Sequence, residues 1–278
     1  MTHSPRRIVF LDVDGTIVGP GNAIDDSTLH AIASARSAGH LVYLCTGRAA
    51  SDIHPRLREA ELDGAITNSG AFGTSRGEQV IRRPMPDHAV RRMQDFFAAE
   101  DVHYSLQTDD EIYFSTGMRV LLEEFFRQTL DDPSDAPVDL SLSRDIDGTA
   151  IEDVAKAVWF SQAEDTFERA VEVLGPDFHV VRGSIPLAGR SDGEICMAGT
   201  TKGSAIELLL AHLGMDAADA VGIGDSWNDV EMFEVVGHAV AMGNAHAELK
   251  DLADSVTTDV LDAGVWNAFT DLGLIAER

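Results

Sequence analysis

Three short apolar runs break off into turns that carry acids, threonine or glycine, and this pattern narrows the possible folds more than any other feature. Ile8-Val9-Phe10-Leu11 ends in Asp12-Val13-Asp14-Gly15-Thr16, Leu41-Val42-Tyr43-Leu44-Cys45 ends in Thr46-Gly47-Arg48, and Ala220-Val221-Gly222-Ile223 ends in Gly224-Asp225. Apolar runs of this length, rich in β-branched residues and bounded by turn signals, read as buried strands. Between the first two, Asp25 or Asp26 caps a helix that carries Leu29, Ile32 and Ala33 on one face and stops at Gly39. A helix reaching Leu62 and the short strand Ala65-Ile66-Thr67 follow. Strand and helix alternating through short links predict βαβ units and a parallel sheet.

From residue 84 to residue 190 the order changes. The pattern predicts a helix over 87–99, a hairpin over 103–115, a helix over 118–130, a strand over 157–161, a helix over 163–174 and a strand over 178–182. The polar stretch 131–153 reads as a surface connection within this part. Hairpins beside helices indicate an α+β module on an open-faced sheet. Strict α/β order resumes near Gly193, with a helix over 202–213, the strand that ends at Gly224-Asp225, a helix from Asn228, a strand over 239–241 and a C-terminal helix carrying Val265, Phe269 and Leu272. The expected organisation is an α/β core of residues 1–83 and 191–278, interrupted by an inserted α+β domain of residues 84–190.

Composition narrows the partners. The formal net charge is −26, and protonating all ten histidines still leaves the chain strongly acidic. Nucleic acid and anionic membrane surfaces are therefore poor partners. No apolar run approaches the roughly 18 residues of a membrane span, and the start is too short for a signal peptide. The expectation is a cytoplasmic protein, a monomer or weak homodimer. Two cysteines far apart, Cys45 and Cys196, exclude a disulfide scaffold and a cysteine-based zinc site.

In an open parallel sheet, ligands bind beyond the carboxyl ends of the strands, where this sequence puts Asp12, Asp14, Thr46, Asp225 and Asp229. Converging carboxylates repel one another unless a proton or cation lies between them. A set of carboxylates without histidine or cysteine suits a hard cation, and Mg²⁺ held by a few carboxylates, water and phosphate oxygens fits best. Taken alone, Asp12-Val13-Asp14-Gly15 reads equally well as an acidic turn. It is not an EF-hand, and Gly222-Ile223-Gly224 followed by Asp225 is a poor dinucleotide turn. The chain has only three lysines against 18 arginines. One of them, Lys202, opens a helix, where the dipole disfavours a cation; facing inward it makes an anion site, facing outward it is a solvated surface lysine.

Taken together, Val9-Phe10-Leu11-Asp12-Val13-Asp14-Gly15-Thr16, Thr46-Gly47-Arg48, Lys202-Gly203 and Gly222-Ile223-Gly224-Asp225-Ser226-Trp227-Asn228-Asp229 resemble, in order, the four signature motifs of the haloacid dehalogenase-like superfamily. The position and pattern of the inserted domain resemble the Cof-type branch with a C2 cap. Thr67-Asn68-Ser69-Gly70-Ala71 resembles that branch's Asn-Gly-Ala turn, with Ser69 as a departure. The resemblance implies a Rossmann-like parallel-sheet core with an α+β C2 cap, and a Mg²⁺-dependent phosphatase acting on a small phosphorylated metabolite.

By the same resemblance, Asp12 is the nucleophile that forms an aspartyl-phosphate, and Asp14 protonates the leaving oxygen and then activates water. A spacing of two along an extended strand aims both side chains the same way. Metal ligands are the Asp12 carboxylate, the Asp14 carbonyl and Asp225. Thr46, Gly47, Lys202 and Asn228 hold the phosphoryl group, Lys202 also taking part in catalysis. Asp229 orients Lys202 or a metal-bound water, or is itself a ligand. Asn228 has a second reading as a helix cap, and Arg48 as a helix-surface residue rather than a substrate contact. Trp227 reads as packing. Helper cations could come from Arg82, Arg83, Arg182 or Arg190. A second acid at Asp14 sets the dehalogenase branch aside. It leaves a phosphatase first, then a phosphomutase or phosphotransferase, or a binding regulator without chemistry.

Overall fold

In a computed structural model of the chain, the described residues are 6–129, 140, 143–146, 148, 151–182 and 191–276. They form two units: residues 1–48, 53–82 and 201–278, and residues 49–52 with 83–200.

The first unit opens with β1 (Ile8–Leu11), every residue of which is fully buried. α1 (Asp26–Ser37) is capped by Asp25, whose side chain accepts the Ser27 N–H at 2.7 Å, and buries Ala31, Ile32 and Ala35. β2 (Leu41–Cys45), the short α2 (Pro55–Glu59) and β3 (Gly64–Thr67) follow. β4 (Phe72–Ser75) and β5 (Glu78–Arg82) then form a hairpin that the sequence reading did not contain. Its two-residue loop, Arg76-Gly77, has φ of 51° and 83°, the paired left-handed conformation that lets a tight hairpin follow the twist of its strands.

The second unit is built from α3 (Asp87–Ala99), β6 (His103–Gln107), β7 (Ile112–Phe114), α4 (Thr116–Thr129), β8 (Ser143–Asp145), β9 (Lys156–Ser161), α5 (Thr166–Leu174), β10 (Phe178–Val181) and β11 (Ser191–Met197). The strands make a six-stranded sheet in the order β10-β11-β9-β6-β7-β8, antiparallel except for β7 with β8. Neighbouring residues of β9 face opposite ways. Trp159 joins Met93 and Phe97 of α3 and Ala170 and Leu174 of α5, whereas Phe160 joins Met118, Leu122 and Phe126 of α4. The sheet therefore carries helix on both faces, and the expected open face is covered in part by α4. Much of the stretch 131–153 lies outside the described residues; within it β8 is an edge strand rather than a plain connection.

The chain returns to the first unit through α6 (Lys202–Leu213), β12 (Ala220–Gly224), α7 (Val230–Val235), β13 (His238–Ala241), α8 (Ala247–Leu252), β14 (Ser255–Val256) and α9 (Gly264–Asp271). A Thr201/Ser204 capping box starts α6, and Gly214 at φ 64° ends it. The eight-stranded sheet has the order β14-β13-β12-β1-β2-β3-β4-β5, parallel up to β3 and antiparallel beyond it. The core is thus α/β on a mainly parallel sheet. Apolar side chains fill both faces: Ala31, Ile32, Val265 and Phe269 on one, Ile206, Leu209, Met232 and Leu249 on the other.

One boundary differs from the sequence reading. Residues 191–200, expected in the core, lie in the second unit, because β11 pairs with β9 and β10 and puts Ile195 into their cluster. Cys45 and Cys196 are both buried and form no disulfide. Among the described residues no helix is long and apolar enough to cross a membrane.

Candidate active site

Register assembles the site. Leu11 of β1 lies opposite Ile223 of β12 and Leu44 of β2, so all three strands finish at one edge. The next residues along them include Asp12, Asp225 and Thr46. Asp12 is 3% exposed, and its N–H donates to the Ile223 carbonyl at 2.9 Å, which keeps the backbone on the β12 ladder for one more step. Its Oδ1 accepts from Lys202 Nζ at 2.5 Å. The Lys202 side chain, 1% exposed at the start of α6, also donates to Asp229 Oδ1 at 2.6 Å and Asn228 Oδ1 at 3.3 Å. Three N–H bonds meet three acceptors. The inward-facing reading of Lys202 is the one the structure adopts.

The electrostatics follow from burial. Loss of water and the neighbouring Asp229 push the Asp12 carboxyl well above its ordinary range, with Lys202 acting against them. Burial alone would lower the Lys202 ammonium, but Asp12 and Asp229 more than reverse this and hold it protonated. Asp225 is pushed up to about 7, first by burial and then by Asp229. Burial likewise raises the Cys45 thiol, leaving it an inert packing residue below the site.

Two glycines let the acids approach. A Cβ at Gly224 would fall 2.4 Å from the Asp229 carboxyl carbon, and one at Gly15, where φ is 84°, would fall 2.1 Å from Asp225 Oδ2. Asp229 uses its other oxygen, Oδ2, to accept the N–H groups of Asp225 and Ser226 at 3.0 and 3.1 Å. It ties Lys202 to the loop that carries Asp225.

Asp12, Asp225 and Asp229 each bring a carboxylate oxygen within 4.8 Å of the others. Both oxygens of Asp229 accept N–H donors, whereas the bonds received by Asp12 from Lys202 and by Asp225 from the Thr16 hydroxyl each engage Oδ1. One ammonium against three carboxylates leaves negative charge in excess, and the donor set is all oxygen. These residues fit a hard divalent cation of the Mg²⁺ kind.

The other candidates fall in different places. Thr46 is fully buried, and its Oγ1 accepts the Arg48 N–H at 3.1 Å, so the hydroxyl hydrogen is directed elsewhere. Gly47 lies between them in the same loop. Asn228 is not a cap; it lies inside the 3₁₀ turn Trp227–Asp229, which Ser226 caps in a capping box with Asp229, and its Oδ1 accepts from Ser226 Oγ at 2.8 Å and from Lys202. Trp227 is 56% exposed and stacks on His246 with 6.2 Å between ring centres, a surface pair rather than core packing.

β1 ends at Leu11, so Asp14 lies beyond the strand, and its carboxylate is 56% exposed where that of Asp12 is buried. It is held by Arg48, which lies before a short 3₁₀ turn (Ala50–Asp52) and not on the surface of a helix. This pairing was not readable from the sequence, since 34 positions separate the partners. Of the helper arginines, Arg83 donates to the Gly199 carbonyl and Arg182 to Glu168 while lying over the Phe167 ring. Arg82 is at the end of β5, and Arg190 lies outside the described residues.

Comparison with known proteins agrees with this geometry. A family profile described as haloacid dehalogenase-like hydrolase matches residues 9–269. The chain is 28% identical to the 5-amino-6-(5-phospho-D-ribitylamino)uracil phosphatase YwtE of Bacillus subtilis (strain 168), over 93% of this chain and 95% of that protein. It is 27% identical to the pyridoxal phosphate phosphatase YbhA of Escherichia coli (strain K12), over 91% and 93% of the two chains. Among solved structures, the subclass IIB sugar phosphatase BT4131 superposes with a TM-score of 0.78 at 23% identity, covering 97% of this chain and all of that one, a likeness of fold. A matched span running from the first strand to the last helix, over the loops that carry Asp12, Thr46, Lys202 and Asp225, places the chain among the haloacid dehalogenase-like hydrolases.

Proposed function

We propose that the protein is a divalent-metal-dependent phosphatase that hydrolyses a small phosphomonoester through a phosphorylated Asp12. The observation that carries this reading is the buried Asp12 carboxylate at the end of β1, with Lys202 on one side and the Asp225 carboxylate within reach on the other. A carboxylate stripped of water and held by one ammonium is a nucleophile prepared for an anionic substrate. The two phosphatases named above, which act on phosphate esters of small molecules, support the substrate class.

In the first step an Asp12 oxygen bonds to phosphorus while the bond to the leaving oxygen breaks, and Asp14 gives that oxygen a proton. In the second, water attacks the phosphorus of the acyl phosphate, Asp14 takes the water's proton, and Asp12 is released. Lys202 exchanges one of its three carboxamide or carboxylate acceptors for a phosphoryl oxygen, the Thr46 hydroxyl donates to another, and Asp229 keeps the ammonium aimed. A divalent ion bound by Asp12, Asp225 and the Asp14 carbonyl would neutralise charge between nucleophile and phosphate.

The test is phosphate release from a panel of phosphorylated metabolites, with Mg²⁺ and with EDTA, beside Asp12→Asn. Release is expected with Mg²⁺ only. The variant is expected to lose roughly three or more orders of magnitude while keeping its fold, as removal of a nucleophile does. Residual activity above about a tenth would remove Asp12 from that role.

A further inference from the structure

Arg48 and Asp14 form a two-point fork: Arg48 Nε donates to Asp14 Oδ2 at 2.8 Å, and Nη2 donates to Oδ1 at 2.7 Å. The guanidinium side is 15% exposed and the carboxylate side 56%. A bidentate pair fixes direction as well as distance, because a planar fork meets a planar carboxylate in one orientation. The arginine is itself anchored at its backbone. Its N–H donates to Thr46 Oγ1 at 3.1 Å, and its carbonyl accepts the Asn68 N–H at 2.8 Å.

Thr46, Gly47 and Arg48 are therefore one rigid loop with two outputs. Thr46 presents a hydroxyl beside the phosphoryl site, and Arg48 presents a fork to Asp14. We propose that Arg48 is a positioning residue for the leaving-group step, setting where the Asp14 carboxyl stands relative to a phosphoryl group gripped by Thr46. The proposal rests on the phosphatase reading above. A carboxyl group has two oxygens, so Asp14 can keep one guanidinium contact while the other oxygen carries the proton to the leaving oxygen. The held contact preserves direction through the transfer.

The expected signature is dependence on the leaving group. An ester whose leaving group is stable as an anion needs no proton in the first step, whereas an alkyl ester does. The value of kcat/KM covers events only up to departure of the leaving group, so hydrolysis of the acyl phosphate does not enter the comparison. With Mg²⁺ present, 4-nitrophenyl phosphate and benzyl phosphate make a pair of similar shape. Arg48→Met is expected to lose roughly tenfold or more in kcat/KM on benzyl phosphate, a fraction of what general-acid catalysis supplies, and less than about threefold on 4-nitrophenyl phosphate. Asp14→Asn is expected to show the same selectivity more strongly, and the double variant to be no worse than Asp14→Asn alone, since both changes act on one group. Arg48→Lys keeps the charge without the fork and is expected not to restore the benzyl rate.

Equal losses on both esters would overturn the proposal, because a role in folding or in gripping the phosphate does not distinguish leaving groups. So would an unchanged benzyl rate, or additive losses in the double variant. If the unaltered enzyme releases phosphate from neither ester, the phosphatase reading falls first and this inference with it.

Discussion

Lys202 is a buried ammonium whose three hydrogen bonds go to Asp12, Asn228 and Asp229. Replacing it by methionine keeps the volume and leaves two buried carboxylates facing each other without a cation. Breaking a buried ion pair from one side costs about 3–5 kcal/mol. Lys202→Met is therefore expected to lower the urea midpoint by a corresponding amount at neutral pH, and the deficit should shrink as the pH falls and Asp12 takes up a proton. A deficit independent of pH would mean that packing, not charge, is what Lys202 supplies. At this scale the sequence was most readable where a residue was chemically out of place. A lysine at a helix start in a lysine-poor chain stands out, and so do acids at the end of apolar runs. Arg48 has no such mark. Arginine is common in this chain, and its meaning comes from a partner on another loop.

The turn at 68–70 is the element with the least comfortable backbone. Asn68, Ser69 and Gly70 have φ of 48°, 55° and 103°, three successive left-handed residues. Hydrogen bonds hold the shape: the Asn68 N–H donates to the Arg48 carbonyl, and the Ser69 N–H to the Thr46 carbonyl. Glycine adopts this region freely and serine does not, so Ser69→Gly is expected to raise stability by roughly 0.5–1 kcal/mol in urea unfolding. No gain, or a loss, would show that the added freedom of the unfolded chain cancels the relief. The turn bonds directly to the loop carrying Thr46 and Arg48, so its departure from Asn-Gly-Ala bears on the site's geometry. Continuous apolar runs closed by turn signals were legible as β1, β2 and β12, and the helical spacing of α6 was legible too. The β4–β5 hairpin was not: its Arg-Gly turn lacks the usual Asn-Gly or Asp-Gly signal, and Glu78 and Gln79 of β5 are exposed polar residues. β14 was missed because two exposed residues carry no period at all.

Across the whole molecule, the acidic cluster couples stability to pH, and on the proposed function to metal as well. The Asp225 carboxyl stands at about 7 in the folded protein against an ordinary 3.8. Between those values the folded state holds a proton that the unfolded chain has lost, so this group's contribution becomes less favourable as the pH rises through the window and is fully unfavourable above about 7. A divalent cation bound as proposed above would replace that proton. At pH 8, Mg²⁺ at a hundredfold excess over its Kd is expected to add ~2.7 kcal/mol, a rise of about 5–10 °C in Tm. The rise should diminish at pH 5.5, and Asp225→Asn should be more stable than the parent without metal and respond little to Mg²⁺. An undiminished rise at the lower pH would place the cation elsewhere. The division into two units was legible in outline because hairpin order differs from βαβ order. The assignment of 191–200 was not, because β11 looks the same in sequence whichever sheet receives it, and only its pairing with β9 decides. That interrupted arrangement also orders events during synthesis. Asp12 emerges early from the ribosome, yet its partner Lys202 follows 190 positions later, and β1 waits for β12 to complete its ladder. The span 83–200 is finished before Lys202 exists and can close its own clusters first. The nascent chain thus spends most of its translation with β1, one of its most apolar strands, unpaired on the β12 side, and completes the Asp12–Lys202 pair only near the end.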